Sequence, residues 1–178
     1  SVAEVLAEES GTPFTAAEIM MTVGAAGGIN TILRSILDEG DEVVIIAPFF
    51  GEYVFYIAHQ TGSTKIATCD ENWLPDIESL ESAIGPRTRA VIINSPNNPT
   101  GVIYPESSIS AITAAIQRAE EKHGTEIYLI SDEPYRKLIY TDTPYPFIFN
   151  HHPRSIVATS HSKDLGLAGE RIGYIAVN

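Results

Sequence analysis

Residues 160–174 read SHSKDLGLAGERIGY, with one lysine among serines and glycines and an arginine eight positions after it. A deprotonated lysine amine is a nucleophile that forms Schiff bases with carbonyl compounds. An arginine guanidinium binds phosphate through paired hydrogen bonds, and the hydroxyls of Ser160 and Ser162 are also suited to phosphate. The pattern therefore indicates an imine-forming amine at Lys163 near a phosphate-binding Arg171. The ordinary alternative is a lysine in a surface loop.

Asp132 follows a strand-like apolar run, EIYLIS, and Tyr135 comes three residues later. A carboxylate removed from water is unfavourable unless it meets a cation. Such a carboxylate can keep the nitrogen of a pyridine ring protonated. Asp132 is thus a candidate for binding a cationic ring, with a cap or a local turn at Pro134 as the alternative. Tyr135 belongs either to the core or to the ligand site.

Two further segments combine a strand end with turn-forming or small residues. NSPNNPTG (94–101) places Asn98 before a proline, which restricts its backbone and presents a fixed carboxamide to a ligand oxygen. VGAAGG (23–28) brings small residues to a strand-to-helix turn, where backbone N–H groups and the helix dipole favour an anion. A simple turn and tight strand–helix packing are the respective alternatives.

These segments follow short, mostly apolar runs that are typical of strands buried on both faces. The runs are 19–23, 42–47, 63–68, 89–94, 126–131, 155–160 and 171–177. Helical patterns cover 28–40, 51–60, 75–85 and 105–122. The alternation predicts one α/β domain over residues 1–178, a three-layer sandwich with a mostly parallel seven-stranded sheet. The last strand is predicted to be antiparallel, because a loop at 161–170 is too short for a crossover helix.

Each candidate segment directly follows a predicted strand, and open α/β sheets bind their ligands at that edge. An anion-binding turn, an aromatic ring, a carboxylate, a phenol and an imine-forming amine together fit pyridoxal phosphate. The chain resembles the class I/II aminotransferases, which belong to the fold-type-I pyridoxal-phosphate enzymes related to aspartate aminotransferase. The resemblance covers essentially the whole chain and rests on five ordered stretches: VGAAGG, PFFGEY, NSPNNPTG, SDEPYRKL and SHSKDLGLAGERIGY.

The resemblance implies a role for each matching residue. Lys163 would carry the cofactor as a Schiff base and then move the α-proton of the substrate. Asp132 would pair with the ring nitrogen, and Tyr135 would hydrogen-bond the phenolic oxygen. The other implied cofactor contacts are Ala25, Ala26, Ser160 and Arg171 at the phosphate, Asn98 at the phenolic oxygen and Phe50 on the ring face.

The position of the stacking ring has one alternative, because Phe49 directly precedes Phe50. The resemblance also implies cis peptide bonds before Pro48 and Pro99.

The reaction implied by the resemblance is amino-group transfer between an amino acid and a 2-oxo acid. Two alternatives stay open: a lyase, decarboxylase or synthase with the same cofactor, and a non-catalytic effector-binding domain of a transcription regulator. Family members are longer and are usually homodimers. Residues 1–178 are therefore predicted to be the cofactor-binding large domain, without the N-terminal segment and the small domain, and to be a weak catalyst alone.

Composition restricts the partners and the compartment. With 11 Lys and Arg against 23 Asp and Glu, the net charge of −12 disfavours nucleic acids and anionic membranes as partners. The single cysteine, Cys69, excludes an internal disulfide and is typical of the cytoplasm. No apolar run reaches the roughly 18 residues of a membrane span.

His151 and His152 are adjacent in a predicted surface loop and lack the spacing of metal ligands, so no metal site is predicted.

Overall fold

A single seven-stranded sheet organises the computed structural model, which describes residues 1–177. Its strands are β1 (Ile19–Val23), β2 (Glu42–Ile46), β3 (Ser63–Ala67), β4 (Thr88–Asn94), β5 (Tyr128–Asp132), β6 (Ser155–Ser160) and β7 (Ile172–Val177). The α-helices are α1 (Val2–Ser10), α2 (Gly24–Ile36), α3 (Glu52–His59), α4 (Ile77–Ala83), α5 (Glu106–His123) and α6 (His161–Asp164). The predicted elements are therefore present, with ends that differ by a few residues.

The strand order is β1-β7-β6-β5-β4-β2-β3. The last strand, β7, is antiparallel to both of its neighbours, β1 and β6, and every other pairing is parallel. This confirms the predicted mostly parallel sheet with an antiparallel last strand. Because β1 and β6 flank β7, β1 also runs in the common direction, and its carboxyl end lies at the same edge as those of β4, β5 and β6.

Two helical layers cover the sheet, as the uniformly apolar strands require. Alternate residues of β2 face opposite layers: Val43 and Ile45 pack with α2 and α3, whereas Val44 and Ile46 pack with α1, α4 and α5. Every residue of β2 is buried. Within residues 1–177, no helix combines the length and the apolar character needed to cross a membrane.

The first long helix begins earlier and ends earlier than its apolar stripe predicts. The stripe indicated 28–40, but α2 starts at Gly24 and stops at Ile36, and Leu37 already has an extended backbone while its side chain is still buried. Periodicity identifies which face of a helix is buried, but it does not mark the last hydrogen-bonded turn. As a result the N-terminus of α2 lies directly at the end of β1.

A buried ion-pair network fixes the segment that follows β5. Arg136 lies 2.6 Å from a carboxylate oxygen of Glu9 on α1 and 3.3 Å from one of Glu133, whose side chain is fully buried. The guanidinium carbon of Arg136 also lies 4.9 Å from the ring centroid of Phe147. Because Tyr135 directly precedes Arg136, this network restrains the backbone that presents Tyr135 to the sheet edge.

The prediction that His152 lies in a surface loop is wrong. His152 is buried, its Nδ1 accepts a hydrogen bond from the backbone N–H of Arg154, and its Nε2 lies 4.0 Å from Glu120. The turn folds back against α5, which the local sequence does not reveal. Burial lowers the pKa of His152 from 6.5, although Glu120 acts in the opposite direction.

We expect His152 to destabilise the fold in acid. A histidine whose pKa is lower in the folded than in the unfolded state takes up a proton on unfolding, so stability falls as pH drops through about 6.5, by at most about 1.4 kcal/mol per pH unit. The difference in unfolding free energy between pH 7 and pH 5 should therefore be smaller in His152→Gln than in the wild type. Urea unfolding at both pH values measures it, with the exposed His59→Gln as control. An identical pH dependence in His152→Gln and the wild type would contradict the assignment.

Candidate active site

A cavity of about 290 Å³ opens at the carboxyl ends of the parallel strands. All of the site residues predicted from the sequence line it: Ala25, Ala26, Phe50, Asn98, Asp132, Tyr135, Ser160, Lys163 and Arg171. A larger cavity of about 570 Å³ lies elsewhere, but within the described chain none of its lining side chains has a buried polar atom without a partner. The smaller cavity is therefore the candidate site, because it brings charged side chains together with a buried polar atom that lacks a partner.

The register of three strands brings the polar residues level with one another. Asn94 at the end of β4 is paired with Asp132 at the end of β5, and Asp132 is paired with Ala158 of β6. Directly paired residues point to the same face of a sheet, and so do residues two positions apart on one strand. The side chains of Asn94, Asp132 and Ser160 therefore all project towards the side covered by α2 and α3.

Asp132 is the most strongly perturbed group of the cavity. Its Oδ2 accepts a 2.6 Å hydrogen bond from the hydroxyl of Tyr53 on α3. Its Oδ1 is buried and has no hydrogen-bond partner among the described residues. Burial raises the pKa of Asp132 to about 7, with a smaller contribution from Glu133 and an opposing one from Tyr53. A cation placed at Oδ1 would supply the missing partner and favour the charged carboxylate.

A chain of amide contacts connects Asp132 to Tyr135. The side-chain amide of Asn94 donates to the backbone carbonyl of Asp132 over 2.8 Å, and its oxygen accepts from the backbone N–H of Asn98 over 2.6 Å. The amide of Asn98 lies 3.5 Å from the hydroxyl oxygen of Tyr135. Burial and the nearby Asp132 raise the pKa of Tyr135, so its hydroxyl stays a hydrogen-bond donor at neutral pH. Together Asn98 and Tyr135 present two donors on one side of the cavity.

The opposite end of the cavity is suited to an anion. The backbone N–H of Gly24, the first residue of α2, donates to the backbone carbonyl of Arg171 over 2.8 Å, and no side chain caps the helix. A Cβ atom on Gly24, whose φ is +67°, would lie 2.8 Å from a guanidinium nitrogen of Arg171. Glycine thus allows the guanidinium to rest against the helix start. A helix N-terminus beside a guanidinium attracts phosphate.

The structure distinguishes the two neighbouring phenylalanines. Phe50 lines the cavity, and its ring centroid lies 5.7 Å from that of Tyr53 at 82°. Phe49 packs instead against the core beneath α2 and α3.

The peptide bonds before Pro48 and Pro99 are cis, as predicted, and the bond before Pro96 is cis as well. These prolines shape the turns that carry Phe50 and Asn98.

Lys163 lies on a helix rather than in the loop that the sequence indicated. Residues 161–164 form the single turn α6, and a 3₁₀ turn covers Ala168–Glu170. The side chain of Lys163 is exposed at the mouth of the cavity, and within residues 1–177 its Nζ makes no hydrogen bond or ion pair. A free amine is thereby available to a molecule in the cavity.

Sequence reasoning missed two residues of this site. Tyr53 donates a hydrogen bond to the Asp132 carboxylate, and Asn94 joins the end of β5 to the loop that follows β4. A signal for Tyr53 existed, because it follows Phe50 by one helical turn within PFFGEY. A signal for Asn94 existed as well, because it ends an apolar strand in the same way as Asp132 does.

We expect Tyr53→Phe to weaken the binding of pyridoxal phosphate, the cofactor that the resemblance implies. The change leaves both oxygens of Asp132 without a partner, which raises the pKa of the carboxyl group further. Loss of a hydrogen bond to a charged group corresponds to about tenfold in affinity. Absorbance titration with pyridoxal phosphate should show a larger loss at pH 6 than at pH 8, because the carboxyl group is protonated more fully in acid. Tyr140→Phe, at a side chain that is 90% exposed, is the control, and an equal loss at both pH values would contradict the role.

Comparison with known proteins identifies the family of this chain. The model of the family described as aminotransferase class I and II matches residues 1–178. The chain is 36% identical over 176 residues to a probable aspartate/prephenate aminotransferase of Thermus aquaticus. This match covers 98% of this chain and 44% of that protein. It is 34% identical to an aspartate aminotransferase of Geobacillus stearothermophilus, covering 96% of this chain and 43% of that protein.

Solved structures give the same result. An amino transferase of Eubacterium rectale superposes with a TM-score of 0.97 at 37% identity, covering 99% of this chain and 45% of that chain. Thermus thermophilus aspartate aminotransferase with maleate superposes with a TM-score of 0.89 at 32% identity, again over 99% and 45%. The chain thus spans less than half the length of the relatives it matches. It belongs to the class I and II aminotransferase family.

Proposed function

We propose that residues 1–178 are the cofactor-binding large domain of a pyridoxal-phosphate-dependent aminotransferase. One observation supports this most strongly: Asp132, whose buried Oδ1 has no hydrogen-bond partner among residues 1–177, lines the same cavity as Lys163 and Arg171. A cationic ring nitrogen, an aldehyde and a phosphate would each meet a matching group there. The residues present therefore fit pyridoxal 5′-phosphate.

Each group has a distinct task in this proposal. Bound pyridoxal phosphate supplies an aldehyde that condenses with amines, releasing water, and a ring that withdraws electrons from the substrate carbon. Asp132 would place its negative charge beside the ring nitrogen, and Tyr53 keeps that carboxylate oriented. Asn98 and Tyr135 would donate hydrogen bonds to the phenolic oxygen, and Phe50 would cover the ring face. Lys163 would hold the cofactor at its aldehyde through Nζ, and its amine would carry the proton that leaves the substrate carbon.

The phosphate would be bound by backbone and side-chain donors together. The N–H groups of Ala25 and Ala26 lie in the first turn of α2, Ser160 is the last residue of β6, and Arg171 directly precedes β7. Ser162 lines the same cavity and can add a hydroxyl. Positive charge from the guanidinium and from the helix dipole then offsets the charge of the phosphate.

The substrates we propose are an amino acid and a 2-oxo acid. Several relatives carry aspartate in their names, so L-aspartate is the first donor to test. Because the chain spans less than half of those relatives, the complete enzyme would include further segments, and these 178 residues alone would be a weak catalyst. We also propose that the complete enzyme is a cytoplasmic homodimer.

Covalent capture tests the cofactor assignment directly. The protein is mixed with pyridoxal phosphate, reduced with borohydride and digested, and the labelled peptide is identified by mass spectrometry. We expect one phosphopyridoxyl group on Lys163. A label spread over the exposed lysines, or none at all, would refute the proposed function.

Product analysis separates transamination from the other reactions of this cofactor. With L-aspartate and 2-oxoglutarate, an aminotransferase forms oxaloacetate and glutamate in equal amounts. A lyase would instead release ammonia, and a decarboxylase would release carbon dioxide. We expect the first result in the complete enzyme, and only a small amount of the same products from the 178-residue chain.

A further inference from the structure

The helix that carries Lys163 is too short to be stable by itself. α6 contains four residues, and no side chain caps its N-terminus. Forming a first helical turn is unfavourable, because several residues must be ordered for a single hydrogen bond. Other contacts must therefore keep this turn in place.

Asp164 provides these contacts from within the turn. Its Oδ2 lies 3.0 Å from Nδ1 of His161, and its Oδ1 accepts a 2.9 Å hydrogen bond from the backbone N–H of Leu165. The backbone carbonyl of His161 in turn accepts from the N–H of Leu167 over 3.2 Å. One carboxylate thus joins the first residue of α6 to the residue after its end, and Lys163 lies between them.

This pair is also anchored to the sheet. The side chain of Asp164 is only 10% exposed and that of His161 25% exposed, although both neighbour the exposed Lys163. The imidazole ring lies 6.2 Å from the ring of Tyr174 on β7, measured between centroids. The contact network therefore runs from β7 through His161 and Asp164 to the backbone N–H of Leu165, so it holds the chain on both sides of Lys163.

The Lys163 side chain has the opposite character. It has four rotatable bonds, and no described residue within 1–177 binds its amine. Restricting a free lysine side chain to one conformation is unfavourable by about 1.5–2 kcal/mol. The direction in which the amine points therefore depends on how firmly its backbone is held.

We propose that Asp164 and His161 are positioning residues that hold α6 so that Nζ of Lys163 reaches the aldehyde of the cofactor. This inference rests on the proposed function. Neither side chain lines the cavity as it is formed by residues 1–177, so neither touches the cofactor itself. Their effect should appear in the reaction of Lys163 and not in the binding of the rest of the cofactor.

Two ligands separate these effects. Pyridoxal phosphate condenses with Nζ of Lys163 and releases one water, whereas pyridoxamine phosphate carries an amine in place of the aldehyde and binds without that bond. We expect Asp164→Ala to slow attachment of pyridoxal phosphate to Lys163 about 10- to 100-fold, since small misplacements have effects of this size. Its affinity for pyridoxamine phosphate should remain within about twofold of the wild type.

Controls make the outcome specific. Glu170→Ala removes a carboxylate from the 3₁₀ turn that follows α6, at an exposed position, and should leave both ligands unaffected. Equal losses for the two ligands in Asp164→Ala, or no loss for either, would overturn the inference. A wild-type protein that fails to attach pyridoxal phosphate at Lys163 would instead refute the proposed function, so the two failures are distinguishable.

A second variant tests the partner in the pair. His161→Phe keeps an aromatic ring against Tyr174 but removes Nδ1. We expect it to slow attachment as Asp164→Ala does, and the double variant to be no slower than the slower single variant, because both act through one hydrogen bond. Fully additive losses, or normal attachment in His161→Phe, would contradict the role of the pair.

Discussion

Lys163→Ala is expected to abolish covalent attachment of pyridoxal phosphate while preserving the fold. The side chain is exposed and makes no hydrogen bond or ion pair within residues 1–177, so its removal should change the free energy of unfolding by less than about 0.5 kcal/mol. Mass spectrometry after borohydride reduction should find no label at residue 163. In the complete enzyme, loss of this proton carrier should lower kcat by at least about 10²- to 10⁴-fold.

The matched control for this change is Lys122→Ala on α5. Lys122 is also exposed, but it lies away from the cavity. We expect normal labelling of Lys163 in that variant. If Lys163→Ala still retained a stoichiometric label at another single residue, a different amine would be the attachment site, and the assignment of Lys163 would be wrong.

Asp132→Asn is expected to have opposite effects on stability and on cofactor binding. An acid whose pKa rises from 3.8 to about 7 on folding loses stability as pH increases between those values, because the unfolded chain releases the proton first. A neutral amide avoids a charged, unpartnered oxygen in the core. At pH 8 the unliganded variant should therefore be more stable, by about 1–3 kcal/mol.

The same substitution removes the negative charge proposed to face the ring nitrogen. A hydrogen bond to a charged group contributes about 1.5–3 kcal/mol, so affinity for pyridoxal phosphate should fall by about 10- to 100-fold. Urea unfolding and absorbance titration at pH 8 measure the two effects. Asp142→Asn, at an exposed loop position, should change neither. A variant that is less stable and also binds normally would refute the role proposed for Asp132.

The sequence is sufficient to predict the layers of the fold and most of the residues that meet around the cavity. Runs such as EVVIIA and RAVIIN are apolar throughout, and only a strand covered on both faces accommodates them. Once the strands are parallel, the residues that follow them must gather at one edge. For this reason the sequence alone predicts that Asp132, Asn98 and Lys163, which are far apart in the chain, meet around one cavity.

The tertiary structure alone decided how these residues are held. Tyr53 reaches Asp132 across 79 positions of sequence, and His152 is buried because its turn folds back against α5. Insertion of β7 between β1 and β6 places Arg171 against Gly24, and a one-turn helix presents Lys163. Local patterns encode which residues avoid water and which carry reactive groups. Distances between remote side chains, and the burial that shifts the pKa of Asp132, arise only when the layers pack together.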